Sequence, residues 1–219
     1  TAGSGGTLQG WMGAGIALAA PAGVDPAYMD IRNNGGDGIH GTGVTGLKVG
    51  QRVGFEALSG CGKCFHCRNG NKNMCPDWNH IGITCHGTFG EYIVLPEPLV
   101  HPLPDNVELA DAALLEPLSL VVRSLEHVRP QVGDSAVIIG PGTVGLLHLQ
   151  ALRAAGVSRL IVVGLETDRI RFGVAEKLGA TQIVNASAEN PVEAVLRGTG
   201  GRGADILIET ASSPKVWDY

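Results

Sequence analysis

The sequence lacks an excess of basic charge, a long apolar run and a regular glycine repeat. Its 219 residues include 16 Lys and Arg against 21 Asp and Glu, a formal net charge of -5. Such a chain is poorly suited to the phosphate backbone of nucleic acids. The most apolar N-terminal stretch, from Trp11 to Val24, contains Pro21 and is too short to cross a bilayer. A signal peptide would require a Lys or Arg before this stretch, and none is present. We therefore expect a cytoplasmic protein that binds neither nucleic acid nor membrane.

Glycine is the residue in excess. There are 33 glycines, roughly twice the average usage of about 7%. They follow no Gly-X-Y repeat, which excludes a collagen. The hydrophobic content of 44% excludes a largely disordered chain. Residues 1–40 are rich in Gly and Ala and show no lasting periodicity, so we predict a weakly structured segment with a short helix around Gly13–Ala20.

Four of the five cysteines are clustered. Cys61, Cys64, Cys67 and Cys75 are separated by two, two and seven residues. This density is typical of a metal site and not of a disulfide framework. Four thiolates favour a closed structural zinc site without an open coordination position. An iron–sulfur cluster is the alternative, because a Cys-Pro pair also ends the bacterial ferredoxin pattern, although with a different spacing.

The second half of the chain alternates short apolar runs with amphipathic segments. This order predicts a parallel sheet with right-handed crossovers. The predicted strands are Ala136–Ile139, Leu160–Val163, Gln182–Val184 and Asp205–Glu209, and the predicted helices are Thr143–Ala155, Asp168–Leu178 and Pro191–Leu196. Before this region we predict a strand over Gln51–Phe55, a strand ended by Pro96, a helix over Ala110–His127, and a domain boundary near residue 128.

A glycine-rich turn lies between the first strand and the first helix of this alternation. Gly140, Gly142 and Gly145 form the pattern G-x-G-x-x-G. After a strand and before a helix, this pattern is typical of a dinucleotide site, in which a pyrophosphate approaches the backbone at the helix N-terminus. Thr143 and Val144 open the helix and are assigned to cofactor binding with the glycines. A strand–helix turn without a ligand is the alternative.

The choice of dinucleotide depends on the end of the second strand. A carboxylate there would accept a hydrogen bond from the ribose 2′-hydroxyl of NAD, but this sequence has Gly164. The glycine leaves room for the 2′-phosphate of NADP, and Arg169 or Arg171 could pair with it. Glu166 or Asp168 could still reach the ribose. The pattern leans towards NADP and keeps NAD as the alternative.

Taken together, these motifs resemble the zinc-containing medium-chain alcohol dehydrogenase family, in its polyol (sorbitol), threonine and butanediol dehydrogenase-like branch. The resemblance covers roughly residues 43–214. It rests on the sequence from Gly43 to Val53, the cysteine cluster, Gly87–Tyr92, Leu115–Leu118, the glycine turn and Gly200–Asp205. It implies an α/β chain: a partial GroES-like β-rich catalytic domain over residues 41–128, with the zinc lobe at 60–76, and then a partial Rossmann domain, a doubly wound parallel sheet, over residues 129–219.

The resemblance also implies a chemistry. A secondary alcohol or polyol would give a hydride to NAD or NADP, with a catalytic zinc ion as Lewis acid. Glu116 falls at or near a ligand position of that ion. From physics alone, a carboxylate in this apolar run is either metal-bound or paired, or it is a helix N-terminal charge with Pro117 beside it. Members of the family commonly form homo-oligomers.

Two family motifs have no counterpart in the sequence. The Cys-Gly-Ser/Thr-Asp and Gly-His-Glu stretches normally supply the first catalytic zinc ligands. Here no cysteine precedes Cys61, and His40 is the only histidine before the cluster. We therefore expect a chain that is incomplete at both ends. It is either part of an active dehydrogenase or a catalytically incomplete fragment or pseudoenzyme.

Overall fold

The computed structural model describes residues 28–32, 46–47, 51–89 and 92–217. The chain divides into two compact units, Thr1–Glu116 and Pro117–Tyr219. The sequence placed the boundary near residue 128, at the end of a helix. That helix groups with the second unit because its Leu125 packs against the second unit's core. The helix predicted around Gly13–Ala20 lies outside the described residues.

The first unit consists of short antiparallel strand pairs. In chain order its elements are strand β1 (Tyr28–Arg32), strand β2 (Val53–Phe55), strand β3 (Leu58–Ser59), helix α1 (Phe65–Arg68), strand β4 (Asn79–His80), strand β5 (Tyr92–Pro96), strand β6 (Val100–Pro102) and helix α2 (Leu109–Ala112). Strand β1 pairs with β5, β2 with β6, and β3 with β4. The buried side chains of Leu95 and Val100 form a small core with Val53 and Phe55 packed against it.

Strand β1 lies in the segment that we expected to be weakly structured. Its register places Tyr28 opposite Pro96 and Arg32 opposite Tyr92. The five residues carry no strong local strand signal. Their partner strand is far away in the chain, and the ladder of hydrogen bonds between the two strands makes the segment regular.

The second unit is an alternation of strands and helices. Its elements are helix α3 (Leu115–Val128, whose first two residues precede the unit boundary), strand β7 (Ser135–Ile139), helix α4 (Thr143–Ala154), strand β8 (Arg159–Gly164), helix α5 (Arg169–Leu178), strand β9 (Gln182–Asn185), helix α6 (Pro191–Gly198) and strand β10 (Ile206–Glu209). The four strands form a parallel sheet in the order β10-β7-β8-β9. The predicted parallel sheet is thus confirmed, and the predicted bounds of its strands and of α4 to α6 differ by only one or two residues. The single helix predicted over Ala110–His127 is instead two helices, α2 and α3, because the chain leaves the helical path between Ala112 and Leu115.

Both faces of this sheet are covered, which explains the continuous apolar runs. Alternate residues of a strand point to opposite faces. Ile138 and Val162 pack on one face with Leu149 and Leu152 of α4. Their neighbours Val137, Ile161 and Val163 pack on the other face with Ala194 of α6. Within the described part of the chain, no helix has the length and apolar character needed to span a bilayer.

Candidate functional site

The first candidate site is the four-cysteine cluster. The Sγ atoms of Cys61, Cys64, Cys67 and Cys75 all lie within 4.8 Å of one another. A tetrahedral zinc ion with Zn–S bonds of about 2.3 Å separates its sulfur ligands by about 3.8 Å. The four sulfur atoms therefore fit around a single ion, whereas thiolates that each bind a different iron of a cluster would stand farther apart. The arrangement fits a closed structural zinc site.

The backbone around the cluster supports thiolate ligands. The N–H groups of Cys61, Cys64 and Cys67 each donate to a cysteine sulfur, at 3.3, 3.4 and 3.4 Å. Hydrogen bonds from the N–H groups of Lys63 and then Cys64 lower the pKa of Cys61 to about 7. Desolvation raises the pKa of Cys67 to about 12. Four negatively charged thiolates this close together would repel one another strongly unless a cation lay between them. A bound zinc ion would supply that positive charge.

Local sequence explains how the lobe closes. A methyl group at Gly60 would lie 2.5 Å from the Cys67 sulfur, so only glycine leaves room for the cluster at this point. Lys72 lies in the 3-10 turn before Cys75 and pairs with Glu56 at 3.1 Å. The other carboxylate oxygen of Glu56 is 3.0 Å from His101 Nε2. Glu56 thus ties the lobe to strand β6.

The second candidate site is the glycine turn between β7 and α4. Gly140 has a φ of +94°, and a methyl group there would lie 2.9 Å from the backbone nitrogen of Ala211. Gly142 is the N-cap residue of α4; it has no side chain that could cap the helix, and nothing lies within 4 Å of the space that a methyl group would fill. The first-turn N–H groups thus lack a side-chain cap from Gly142, and the space beside this residue is open. This is the arrangement in which a helix N-terminus can bind a phosphate.

The third glycine of the pattern permits close packing. A methyl group at Gly145 would lie 2.0 Å from the carbonyl oxygen of Gly140 and 2.9 Å from Thr210 Oγ1. The Thr210 hydroxyl lies 2.9 and 2.8 Å from the carbonyl oxygens of Ile139 and Gly140, its two acceptors. Thr210 thus holds the turn in place from the end of β10. Sequence reasoning missed Thr210, because nothing local indicates that the end of β10 meets the end of β7.

A cavity of about 350 Å³ opens at the glycine turn. It lies at the carboxyl ends of the parallel strands, where α/β sheets bind ligands. Its lining includes Gly140, Gly142 and Gly164 of the predicted cofactor residues. Thr143, Val144 and Gly145 lie in the first turn of α4 and are not part of the lining. The structure also brings residues from the ends of β9 and β10 to the cavity, namely Ala186, Thr210, Ala211 and Ser213.

The charged residues after β8 divide into two pairs. Arg171 and Asp168 form an ion pair of 2.8 Å, and both line the cavity. Arg169, which we expected at the cofactor, instead pairs with Glu166 at 3.3 Å, is 79% exposed, and is not part of the lining. The backbone direction at the start of α5, which the sequence pattern does not show, decides which arginine reaches the cavity.

Glu116 lies in the first turn of α3 and is exposed. Among the described residues, the four cysteines are the only group of three or more His, Cys, Asp or Glu side chains that could hold a metal. His40 lies outside the described residues. The residues that the structure describes therefore do not form a site for a catalytic zinc ion.

The chain matches two family models. Residues 38–105 match the alcohol dehydrogenase GroES-like domain, and residues 143–219 match the zinc-binding dehydrogenase family. The sorbitol dehydrogenase of Bacillus subtilis is 35% identical over 175 residues, which cover 80% of this chain and 49% of the relative. The chain thus spans about half the length of this curated relative.

Two solved structures show the same fold in relatives with different cofactors. A protein of Sinorhizobium meliloti that is described as a zinc-binding dehydrogenase, bound to NADP, matches with a TM-score of 0.76 and 26% identity over 92% of this chain and 57% of the other. A protein described as a short chain alcohol dehydrogenase from Escherichia coli, complexed with NADH, matches with a TM-score of 0.73 and 26% identity over 87% of this chain and 54% of the other. Since the four-cysteine lobe, the glycine turn and both family models occur together, this chain belongs to the zinc-containing medium-chain alcohol dehydrogenase family.

Proposed function

We propose that this chain is part of an oxidoreductase that transfers a hydride between a secondary alcohol, of the polyol type, and NAD or NADP. The observation that carries the proposal is the cavity at the glycine turn, where Gly142 leaves the N-terminus of α4 open to an anion. The likeness to a sorbitol dehydrogenase supports a polyol as the substrate. The bound cofactors of the two solved relatives support a nicotinamide dinucleotide in the cavity.

The residues have separate tasks in this proposal. Gly140 and Gly142 let the pyrophosphate of the dinucleotide approach the backbone, and the first turn of α4 supplies N–H donors and a positive dipole end. Thr143, Val144 and Gly145 form that turn. When bound there, the dinucleotide would supply the acceptor for the hydride of the alcohol carbon, and the hydroxyl proton would leave to a base or to solvent. The four-cysteine zinc is structural, because all four of its coordination positions are taken by protein.

Dinucleotide binding is the first test. Titration of the purified chain with NADH or NADPH should quench the tryptophan fluorescence of the chain or enhance the fluorescence of the nicotinamide. Gly142→Asp should abolish this binding, since a carboxylate would then occupy the phosphate position. Gly173→Asp, which adds the same charge at an open position in α5, is the control. A chain that binds neither dinucleotide would overturn the proposal.

A catalytically incomplete chain is the second candidate. It is favoured by one observation: the described residues gather no metal-ligand group besides the four cysteines. Zinc content and turnover separate the two candidates. Two zinc ions per chain, with polyol oxidation that a chelator abolishes, would support the active dehydrogenase. One zinc ion per chain, with dinucleotide binding and no turnover, would support the incomplete chain. Iron with visible absorbance would instead support the iron–sulfur alternative.

A further inference from the structure

Two neighbouring side chains occupy the space into which a side chain at Gly164 would project. Gly164 ends strand β8, and a methyl group placed on it would lie 3.0 Å from Asp168 Oδ2 and 2.7 Å from Phe172 Cε1. The glycine that suggested room for a phosphate instead makes room for two side chains from the start of α5. The Asp168 carboxylate therefore stands beside the position from which a side chain at residue 164 would project.

The carboxylate is held there by two contacts. Its Oδ2 accepts a hydrogen bond from the backbone N–H of Leu165 at 3.0 Å. Its Oδ1 accepts one from Arg171 Nη1 at 2.8 Å. The side chain of Asp168 is 13% exposed and that of Arg171 is 60% exposed. Because the bond to Leu165 is made by backbone, the carboxylate stays in place even when the exposed arginine moves away.

The other charges nearby do not favour a phosphate. Asp168 and Arg171 are the charged side chains in the described lining of the cavity, and they neutralise each other. Arg169 pairs with Glu166 outside that lining. A 2′-phosphate would have to separate Arg171 from Asp168. It would then lie against the Asp168 carboxylate, which the backbone N–H of Leu165 holds in place. A 2′-hydroxyl would meet an acceptor already in place.

We propose that Asp168 is the residue that selects NAD over NADP, by accepting the 2′-hydroxyl of the adenosine ribose and repelling a 2′-phosphate. The proposal rests on the proposed dinucleotide function and reverses the preference that the sequence pattern alone suggested. Asp168 takes the role that the strand-end acid has in other dinucleotide folds, although it lies four residues further along the chain. Arg171 acts as its counter-ion in the free protein.

The test compares the two reduced dinucleotides on the whole chain. We expect NADH to bind at least about tenfold more tightly than NADPH, the difference that one hydrogen bond to a charged acceptor supplies. Asp168→Asn should weaken NADH binding by about tenfold and strengthen NADPH binding, so that the ratio approaches one. Glu176→Gln, which removes an exposed negative charge two turns further along α5, should leave the ratio unchanged.

Adenosine fragments isolate the ribose from the rest of the site. 5′-AMP should compete with NADH, and adenosine 2′,5′-bisphosphate should compete at least about tenfold less well. This comparison needs no variant, so it decides the question even if Asp168→Asn does not fold. Equal or tighter binding of the 2′-phosphorylated ligands, or a ratio that Asp168→Asn does not move, would overturn the assignment of Asp168. A chain that binds neither NADH nor NADPH would overturn the dinucleotide function itself, and the assignment with it.

Discussion

At the scale of single residues, two of the cysteines differ in burial and in their distance from the metal site. Cys75 is 2% exposed and is the most buried of the four clustered cysteines. Its sulfur accepts a hydrogen bond from the N–H of Cys61. Cys85 is exposed and lies outside the cluster. The two cysteines therefore provide a matched pair for testing the metal site.

Cys75→Ser should lower the zinc content of the purified chain by about one ion, because a serine hydroxyl stays protonated and is a poor zinc ligand. Cys85→Ser should retain the full zinc content. Atomic emission analysis of the two variants measures this directly. Equal zinc content in both variants would mean that the cluster is not the metal site.

The glycines allow a second matched comparison. Gly145→Ala should destabilise the fold by about 2–3 kcal/mol, because its methyl group would overlap the carbonyl oxygen of Gly140 at 2.0 Å. Gly173→Ala adds a methyl group to open space in α5 and should stabilise by about 0.5–1 kcal/mol, since alanine favours the helix. Urea unfolding measures both changes. Changes of the same sign in both variants would contradict the packing role of Gly145.

At the scale of elements, strand β10 is fastened to β7 at its start. Asp205 Oδ2 accepts the N–H and the O–H of Ser135 at 2.9 and 2.7 Å, and Arg202 donates to both carboxylate oxygens at 2.6 and 2.9 Å. Arg202 and the two donors of Ser135 hold the pKa of Asp205 well below its usual range. Ser135 is buried, so its donors depend on this carboxylate.

The stability that Asp205 provides should therefore depend on pH. A carboxyl group with a lowered pKa in the folded state stabilises the fold fully above its unfolded value of about 4 and loses this contribution as the pH falls further. Asp205→Asn should be less stable than the wild type at pH 7, and the difference should shrink at pH 3. Urea unfolding at both pH values checks this.

An exposed carboxylate serves as the control. Glu126 pairs with Arg123, and both side chains are 59% exposed; Glu126→Gln should cost less than about 1 kcal/mol at either pH. A difference between Asp205→Asn and the wild type that is as large at pH 3 as at pH 7 would show that the contacts of Asp205 do not depend on its charge.

At the scale of the whole molecule, the two units have separate cores. Leu95 and Val100 belong to the core of the first unit, whereas Ile138 and Val162 belong to that of the second. The zinc lobe lies in the first unit and the glycine turn in the second. Loss of the metal should therefore be a local event.

Treatment with a chelator should remove the zinc and open the lobe to trypsin at Lys63, Arg68 or Lys72, while the affinity for dinucleotide changes by less than about twofold, as expected for independent sites. Mass spectrometry of the first cleavage products and a parallel NADH titration measure the two effects. A large loss of NADH affinity on zinc removal would show that the two sites are coupled.

The sequence by itself determined the features that depend on neighbouring residues. The spacing of the cysteines specified a closed metal site, because short spacers let one stretch of backbone surround an ion. The glycine turn and the alternating apolar runs specified the parallel sheet, since a strand, a turn and a helix follow one another in the chain. These local signals account for the second unit and for the zinc lobe.

Only the tertiary structure decided the contacts between distant segments. Strand β1 forms because β5 pairs with it, and Thr210 closes the glycine turn from the far end of the sheet. The fold also decided which of two nearby acids, Glu166 or Asp168, lies beside Gly164, because the backbone at the start of α5 places Asp168 there. Such pairings depend on which elements meet in space, and no local pattern of residue types records that.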